Sequence, residues 1–304
     1  MKTYAAIDIG SNGARLLIKS YSPDAVREED RIRKVMFIRI PLRLGKDVFT
    51  LGKVSKEREK MMIHMMKGFK QFMKLNKVER FRACATSAMR DAENGKAILK
   101  MIEKETGIQL EIIKGQEEAR LLYNNLVEKT DSNEGNYAYI DVGGGSTEVS
   151  IIHDGVLAES FSYNMGTLRM ISGKVATETQ SLFQRNLEGY ACKYGQIRII
   201  GSGGNINKLN KLAHHGEDSH LLTLQELRRL YGMMLPLSIE ERKISFSLKD
   251  DRADVIIPAA EIFIKACEYL QCDHVIVPNI SLADSIVDGL IRKDKAASID
   301  EPRE

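Results

Sequence analysis

Tyr139-Ile140-Asp141-Val142-Gly143-Gly144-Gly145-Ser146-Thr147-Glu148 stands near the centre of the chain, and the opening residues Ala6-Ile7-Asp8-Ile9-Gly10-Ser11 are its earlier copy. Each copy is an apolar run that reaches an Asp, turns through glycine and continues into a second strand-like run. Asp8 and Asp141 lie 133 positions apart in a chain of 304. Internal similarity at nearly half the chain length points to a duplicated α/β fold rather than a short-period solenoid. A prior of roughly 100–200 residues per domain likewise gives two domains.

Outward from the first copy, Tyr4 to Ile9 and Ala14 to Ser20 flank the turn Gly10-Ser11-Asn12-Gly13 and predict a hairpin. A strand from Arg33 to Ile40 leads through a Gly-containing loop to Ser55, which caps a long helix reaching Leu75. The stripe Met61, Met62, Met65, Met66 and Met73 on that helix reads as core packing. Strand, helix, strand and helix follow over 81–86, 96–105, 109–114 and 117–127, an α/β order. The polar break Lys129 to Asn136 marks the expected boundary between domains 1–129 and 130–304. Beyond the second copy come a helix over 168–190, a strand over 198–200, a glycine turn, three or four helices with the longest over 253–270, a strand over 274–277 and a helix over 282–292. The charged tail from Lys293 is expected to fray.

Composition narrows the function. A hydrophobic fraction of 43% builds real cores, and 45 Lys+Arg against 42 Asp+Glu, a net of +3, is too balanced for a general nucleic-acid attractor, so no specific nucleic-acid sequence is expected as partner. No apolar run approaches the roughly 20 residues of a membrane span, and Met1 leads straight into a strand pattern; a cytoplasmic protein with no membrane partner is the expectation. Cys84, Cys192, Cys267 and Cys272 show no zinc spacing and read as reduced, mostly buried thiols; His214-His215 reads as solvated. Asp154-Gly155 between two strand-like runs is a hairpin turn, which sets aside a metal reading of His153-Asp154. Oligomeric state is left open, a homodimer included.

Strands that end in Asp before a glycine turn place carboxylates where burial without a partner is costly, and a divalent cation is the natural partner. Glycine also lets backbone N–H groups approach anionic oxygens. One such turn is an ordinary hairpin; two Asp-bearing copies read as an anion or metal site. Along the following strand, Glu148 shares a face with Ser146. Ile199-Ile200-Gly201-Ser202-Gly203-Gly204-Asn205 is a third strand-to-glycine element before a helix over 206–212, whose N-terminus favours anions; alone it reads as a tight turn. Thr86-Ser87 and Arg90 put hydroxyls and a phosphate-matching fork at a strand end, although a salt bridge to Asp91 or Glu93 fits equally. Glu117 and Glu118 open a helix, where adjacent residues diverge by about 100°, so one at most can face a site and periodicity does not choose.

These segments together resemble the exopolyphosphatase/guanosine pentaphosphate phosphatase (Ppx/GppA) family. The resemblance is carried by AAIDIGSNGARLLI, ATSAMRDAENG, GQEEARLLY, YIDVGGGSTEVSII, NMGTLR, IIGSGGNINKL and RADVI, in the family's order over about residues 5 to 290. It implies an α/β fold of two ribonuclease-H-like (actin-like) domains, each a mixed five-stranded sheet flanked by helices, with an interdomain active-site cleft. Kinases and chaperone ATPases share that fold, so fold alone does not set the reaction. By motif, the resemblance implies Glu118 as the base for attacking water and Arg90 as the residue holding the phosphate chain. Asp141 and Glu148, with Asp8, would hold Mg²⁺ or Mn²⁺. Ser11, Asn12, Gly13 and Arg15 would form the first phosphate loop, Gly143, Gly144, Gly145 and Ser146 the second, and Gly201, Ser202, Gly203 and Gly204 the third. The implied activity is release of terminal orthophosphate from inorganic polyphosphate or guanosine pentaphosphate. A non-catalytic sensor of the same ligands and an ATP-dependent phosphotransferase are the competing readings. Two departures stand out: Gly13 occupies a position where the family commonly has Ser, and the chain ends at Glu304, like the short two-domain members.

Overall fold

The computed structural model describes residues 1–129, 134–214 and 219–300. The chain forms two compact units, Met1–Asn125 with Ser281–Glu304, and Leu126–Ile280. Each is built on a mixed sheet flanked by helices.

In the first unit the expected hairpin forms from β1 (Lys2–Ile9) and β2 (Ala14–Tyr21), antiparallel with Ile9 opposite Ala14. Almost every residue of both strands is buried, as befits a sheet covered on both faces. β3 (Ile32–Ile40) pairs antiparallel with β2, while β4 (Arg80–Ala85) and β5 (Leu110–Ile112) extend the sheet parallel to β1 in the order β3-β2-β1-β4-β5. The helices are α1 (Leu44–Leu51), α2 (Lys56–Leu75), α3 (Ser87–Asp91), α4 (Gly95–Thr106) and α5 (Gly115–Lys129). Ser55 caps α2, its hydroxyl accepting the Arg58 N–H at 3.3 Å. Met62, Met65, Met66 and Met73 are buried as expected, but Met61 is 40% exposed, because the residue before Met62 is turned off the buried face.

The second unit repeats the pattern with β6 (Asn136–Val142), β7 (Thr147–His153) and β8 (Val156–Tyr163) as antiparallel neighbours, then α6 (Thr167–Ile171), α7 (Thr177–Tyr194), β9 (Ile197–Ser202), α8 (Gly204–Ala213), β10 (Leu221–Thr223), α9 (Leu224–Met234), α10 (Ile239–Phe246), α11 (Ile256–Tyr269) and β11 (His274–Ile276). The Asp154-Gly155 turn has φ of 47° and 73°, the left-handed pair a two-residue hairpin needs. Its sheet has six strands rather than five, in the order β10-β11-β9-β6-β7-β8. The extra strand, β10, spans three residues, of which Leu222 alone is buried, and Thr223 at once becomes the cap of α9. Such a segment is too short to leave an alternating pattern. The single helix expected over 168–190 is two helices, α6 and α7, with Gly173 at φ 63° in the break.

The domain boundaries also differ from the 1–129 and 130–304 division. α12 (Leu282–Asp300), the last helix, belongs with the first unit. Lys19 of β2, buried, holds Asp284 at 2.9 Å and Asp288 at 2.8 Å, and the Tyr4 hydroxyl donates to Asp294 at 2.9 Å. The charged tail therefore continues the helix through Asp300 instead of fraying at Lys293. The expected linker at 129–136 falls partly outside the described residues, as do His215 and 301–304. Among the described residues no helix is long and apolar enough to cross a membrane.

Candidate active site

In the first unit the parallel strands β1, β4 and β5 all end on one edge of the sheet, and each delivers a predicted residue there. β1 runs into the Gly10–Gly13 turn, closed by the Gly10 N–H to the Gly13 carbonyl at 3.1 Å. β4 runs into Ser87, whose hydroxyl meets that of Ser11 at 2.9 Å, both side chains buried. β5 leads to α5 and Glu118. Arg90 donates Nη1 to the Ile113 carbonyl at 3.0 Å, which fastens its guanidinium to the segment between β5 and α5. The structure also chooses between the two glutamates: Glu118 is 7% exposed, whereas Glu117 turns outward to Arg82 at 2.6 Å. Cys84, buried beside this edge, has its thiol pushed up to about 12 by burial and serves as packing rather than as a nucleophile.

The first loop faces a definite way. Its Ser11 and Asn12 carbonyls accept N–H groups of Gly45 and Arg43 at 2.8 and 3.0 Å, at the start of α1. In a trans peptide C=O and N–H point in opposite directions, so the Asn12 and Gly13 N–H groups turn away from α1. Asp8 is 1% exposed and paired with Arg15 on the adjacent strand. Arg15 thus supplies a positive charge directly beside the Asp8 carboxylate.

The second unit uses the same device more completely. The carbonyl of Gly143 accepts from Thr167 N–H at 3.0 Å, and that of Gly144 from Leu168 and Arg169 N–H at 2.8 and 3.1 Å. The Gly145 carbonyl accepts from Arg169 Nε at 2.7 Å. All three carbonyls are thus clamped by the first turn of α6. The N–H groups of Gly144, Gly145 and Ser146 consequently turn to the other side as three successive donors, a nest for an anion. Beside it, Asp141 and Glu148 are direct cross-strand partners, with a carboxylate oxygen of each within 4.8 Å of the other. Glu148 is 1% exposed and accepts the Ser162 hydroxyl at 2.8 Å. Like charges facing one another across a ladder repel. Two oxygen-donor carboxylates so placed fit a hard divalent cation such as Mg²⁺ or Mn²⁺.

The third element follows β9. Gly203 has φ 112°, a conformation open to glycine, and a methyl there would meet the Val142 carbonyl at 3.0 Å. Ser202, expected in this third phosphate loop, donates its hydroxyl to the Ile280 carbonyl at 3.1 Å.

Two contributors escaped the sequence reading. Arg252 lies over Gly204 at the N-terminus of α8, where a Cβ would come 3.0 Å from Nη2. With Lys208 one turn along the helix, it concentrates positive charge where the helix dipole is also positive. The Lys208 ammonium is depressed first by burial and then by the Arg252 and Lys211 charges. Gly166 is the second: a methyl there would sit 2.5 Å from the nitrogens of Gly145 and Ser146. Both lay in motifs noted for resemblance, RADVI and NMGTLR, but neither spacing indicates its spatial neighbour. Elsewhere, Cys272, Asp273 and His274 bring donor atoms within 4.8 Å. There the thiol donates to the His274 carbonyl and exposed Asp273 binds the ring at 2.6 Å, an ordinary surface pairing.

Fold and loops together define an α/β protein of two units, with a glycine loop between the first two strands of each unit. Residues 26–294 match the Ppx/GppA phosphatase family, and the chain belongs to it. It is 24% identical over 302 residues to the guanosine-5'-triphosphate,3'-diphosphate pyrophosphatase of Aeromonas salmonicida, covering 95% of this chain and 59% of that protein. The chain thus spans less than two thirds of the length of such curated relatives. The crystal structure of the Aquifex aeolicus Ppx/GppA family member is similar, with a TM-score of 0.76 at 26% identity over 96% of this chain and 98% of that one. An exopolyphosphatase structure from Cytophaga hutchinsonii shares the fold, with a TM-score of 0.84 at 22% identity, 96% of this chain and 98% of that one being covered.

Proposed function

We propose that this phosphatase hydrolyses the terminal phosphoanhydride of inorganic polyphosphate or guanosine pentaphosphate, releasing orthophosphate. The observation that carries the reading is the nest of three N–H groups at Gly144, Gly145 and Ser146 beside the facing carboxylates Asp141 and Glu148. Donors aimed at an anion next to a cation-binding pair are what phosphoryl transfer to water requires, since its catalysis is largely positioning and charge neutralisation. The relatives named above support the substrate class.

In this reading Asp141 and Glu148 hold the cation, which when bound neutralises charge on the phosphoryl oxygens. The three N–H groups orient the terminal phosphate. Arg90, kept in place by the Ile113 carbonyl, grips a phosphate oxygen with its free fork edge. Glu118 orients water and accepts its proton.

The test is orthophosphate release from polyphosphates of defined length and from guanosine pentaphosphate, with and without Mg²⁺, for the native chain and Glu118→Gln. The expected result is cation-dependent release, with Glu118→Gln losing at least 100-fold in kcat, on the order of a general base's contribution, while still binding substrate. Undiminished turnover in Glu118→Gln removes that residue from its role. Tight binding without hydrolysis under any cation replaces the hydrolase by a sensor, and ATP-dependent transfer without hydrolysis replaces it by a phosphotransferase.

A further inference from the structure

We propose that Arg39, on the edge strand β3, is a phosphate-binding residue of the first loop, gripping a phosphate of a phosphoanhydride chain together with Arg15. The inference rests on the phosphohydrolase reading and adds a residue outside the motifs that carry the resemblance.

The first support is register. Asp8 of β1 faces Arg15 of β2, and Arg15 faces Arg39 of β3. Direct cross-strand partners project from the same face of a sheet, so the three side chains form one row. Each lies one residue from the loop end of its strand: Asp8 before Ile9, Arg15 after Ala14 and Arg39 before Ile40. The row therefore borders the Gly10–Gly13 turn.

Contact with the turn is the second support. A methyl at Gly13 would meet Arg39 Nη2 at 3.4 Å and Cζ at 3.5 Å, besides the Ile40 carbonyl at 3.1 Å. It is the charged end of Arg39, not its aliphatic stem, that rests on this glycine. Gly13 does not adopt a positive φ. Its missing side chain is accordingly a matter of room: it lets a guanidinium approach the backbone beside the Gly13 N–H, which the carbonyl tethers to α1 turn away from that helix.

Charge is the third. Two half-buried guanidiniums stand opposite each other, in a row whose third member is the carboxylate Asp8. Like charges directly opposite destabilise a sheet, and an oligoanion bridging both forks converts that repulsion into two bidentate contacts. Lys in place of Arg would supply the charge without the fork. Arg39 thus occupies the space and supplies the donors that a hydroxyl side chain at position 13 would otherwise provide.

The experiment combines kinetics with binding. Native chain, Arg39→Ala, Arg39→Lys and Gly13→Ser are compared for orthophosphate release from tripolyphosphate with Mg²⁺, and for calorimetric binding of methylenediphosphonate, which does not turn over. Arg39→Ala is expected to raise KM about tenfold or more, this being the larger part of the loss in kcat/KM, and to weaken diphosphonate binding similarly, as for loss of a charge-assisted hydrogen bond. Arg39→Lys recovers part of the binding, and Gly13→Ser, which crowds the guanidinium, weakens it by a few-fold. Thermal unfolding confirms that the variants are folded; should Arg39→Ala not fold, Arg39→Lys and Gly13→Ser carry the comparison. KM and diphosphonate affinity unchanged from native in the folded variants overturn the role of Arg39, as does a native chain that binds no diphosphonate. A native chain that binds diphosphonate but hydrolyses nothing overturns the hydrolase reading instead, and the binding comparison still decides Arg39.

Discussion

Replacing Gly166 by Ala tests whether the Gly144–Ser146 nest is a built site. Gly166 caps α6 at φ −138°, extended backbone that alanine adopts freely, so any effect comes from space and not from conformation. The added methyl would lie 2.5 Å from the nitrogens of Gly145 and Ser146 and 2.6 Å from the Gly144 carbonyl carbon. All three are backbone atoms and none can swing aside. Carbon reaches comfortable contact near 3.5 Å, so loop and helix must separate by roughly 1 Å. Overpacking of this kind destabilises by about 1–3 kcal/mol. Each kcal/mol lowers Tm by roughly 2–4 °C in a domain of this size. Function suffers more. The carbonyl clamp from Thr167, Leu168 and Arg169 sets the direction of the nest, and a 1 Å misplacement costs on the order of 100-fold in rate. The assay is phosphate release with Mg²⁺, measured well below the variant's Tm. Turnover within twofold of native in a variant of native Tm would refute both the contact and the role of the nest.

The facing carboxylates predict a second outcome. Mg²⁺ at about 100 times its dissociation constant stabilises the native chain by about 2.7 kcal/mol, seen as a rise in Tm, and Asp141→Asn loses most of that rise. A full Mg²⁺ response in the variant places the cation elsewhere. Lys19→Met removes the cation from between the part-buried Asp284 and the buried Asp288 and should cost about 3–5 kcal/mol in denaturant unfolding. A loss below about 1 kcal/mol would show that α12 is held by its apolar face alone. Burial by itself would depress the Lys19 ammonium, but Asp284 and Asp288 outweigh it and the net direction is upward. Stability from these pairs is therefore complete below the unfolded lysine value, near 10.4, and is lost as pH rises through the higher folded value. Unfolding followed up the alkaline limb should show native protein losing stability there by a component that Lys19→Met lacks.

How far the sequence reached follows from the range of the forces involved. The β1–β2 and β6–β7 hairpins, the Asp154-Gly155 turn and the Ser55 cap were legible because each is decided by neighbours within a few residues. The duplication of Asp8 and Asp141 gave the two-unit α/β plan for the same reason, each copy being a self-contained strand and turn. Which of Glu117 and Glu118 turns inward was not legible: the helical period separates the two, and the choice shows only in tertiary contacts such as that of Arg82, 35 positions before Glu117. Return of the last helix to the first unit depends on Lys19 meeting Asp288, 269 positions away, a pairing with no local signature. Gly166 against the Gly144–Ser146 loop and Arg252 over Gly204 belong to the same class. Sequence by itself determined most of the elements, the paired glycine loops and the residue types able to handle phosphate, because backbone geometry and periodicity act locally. Tertiary structure alone decided which carbonyls are clamped, and hence which N–H groups are free to face an anion, because a peptide's direction is set by the partner that holds its other side.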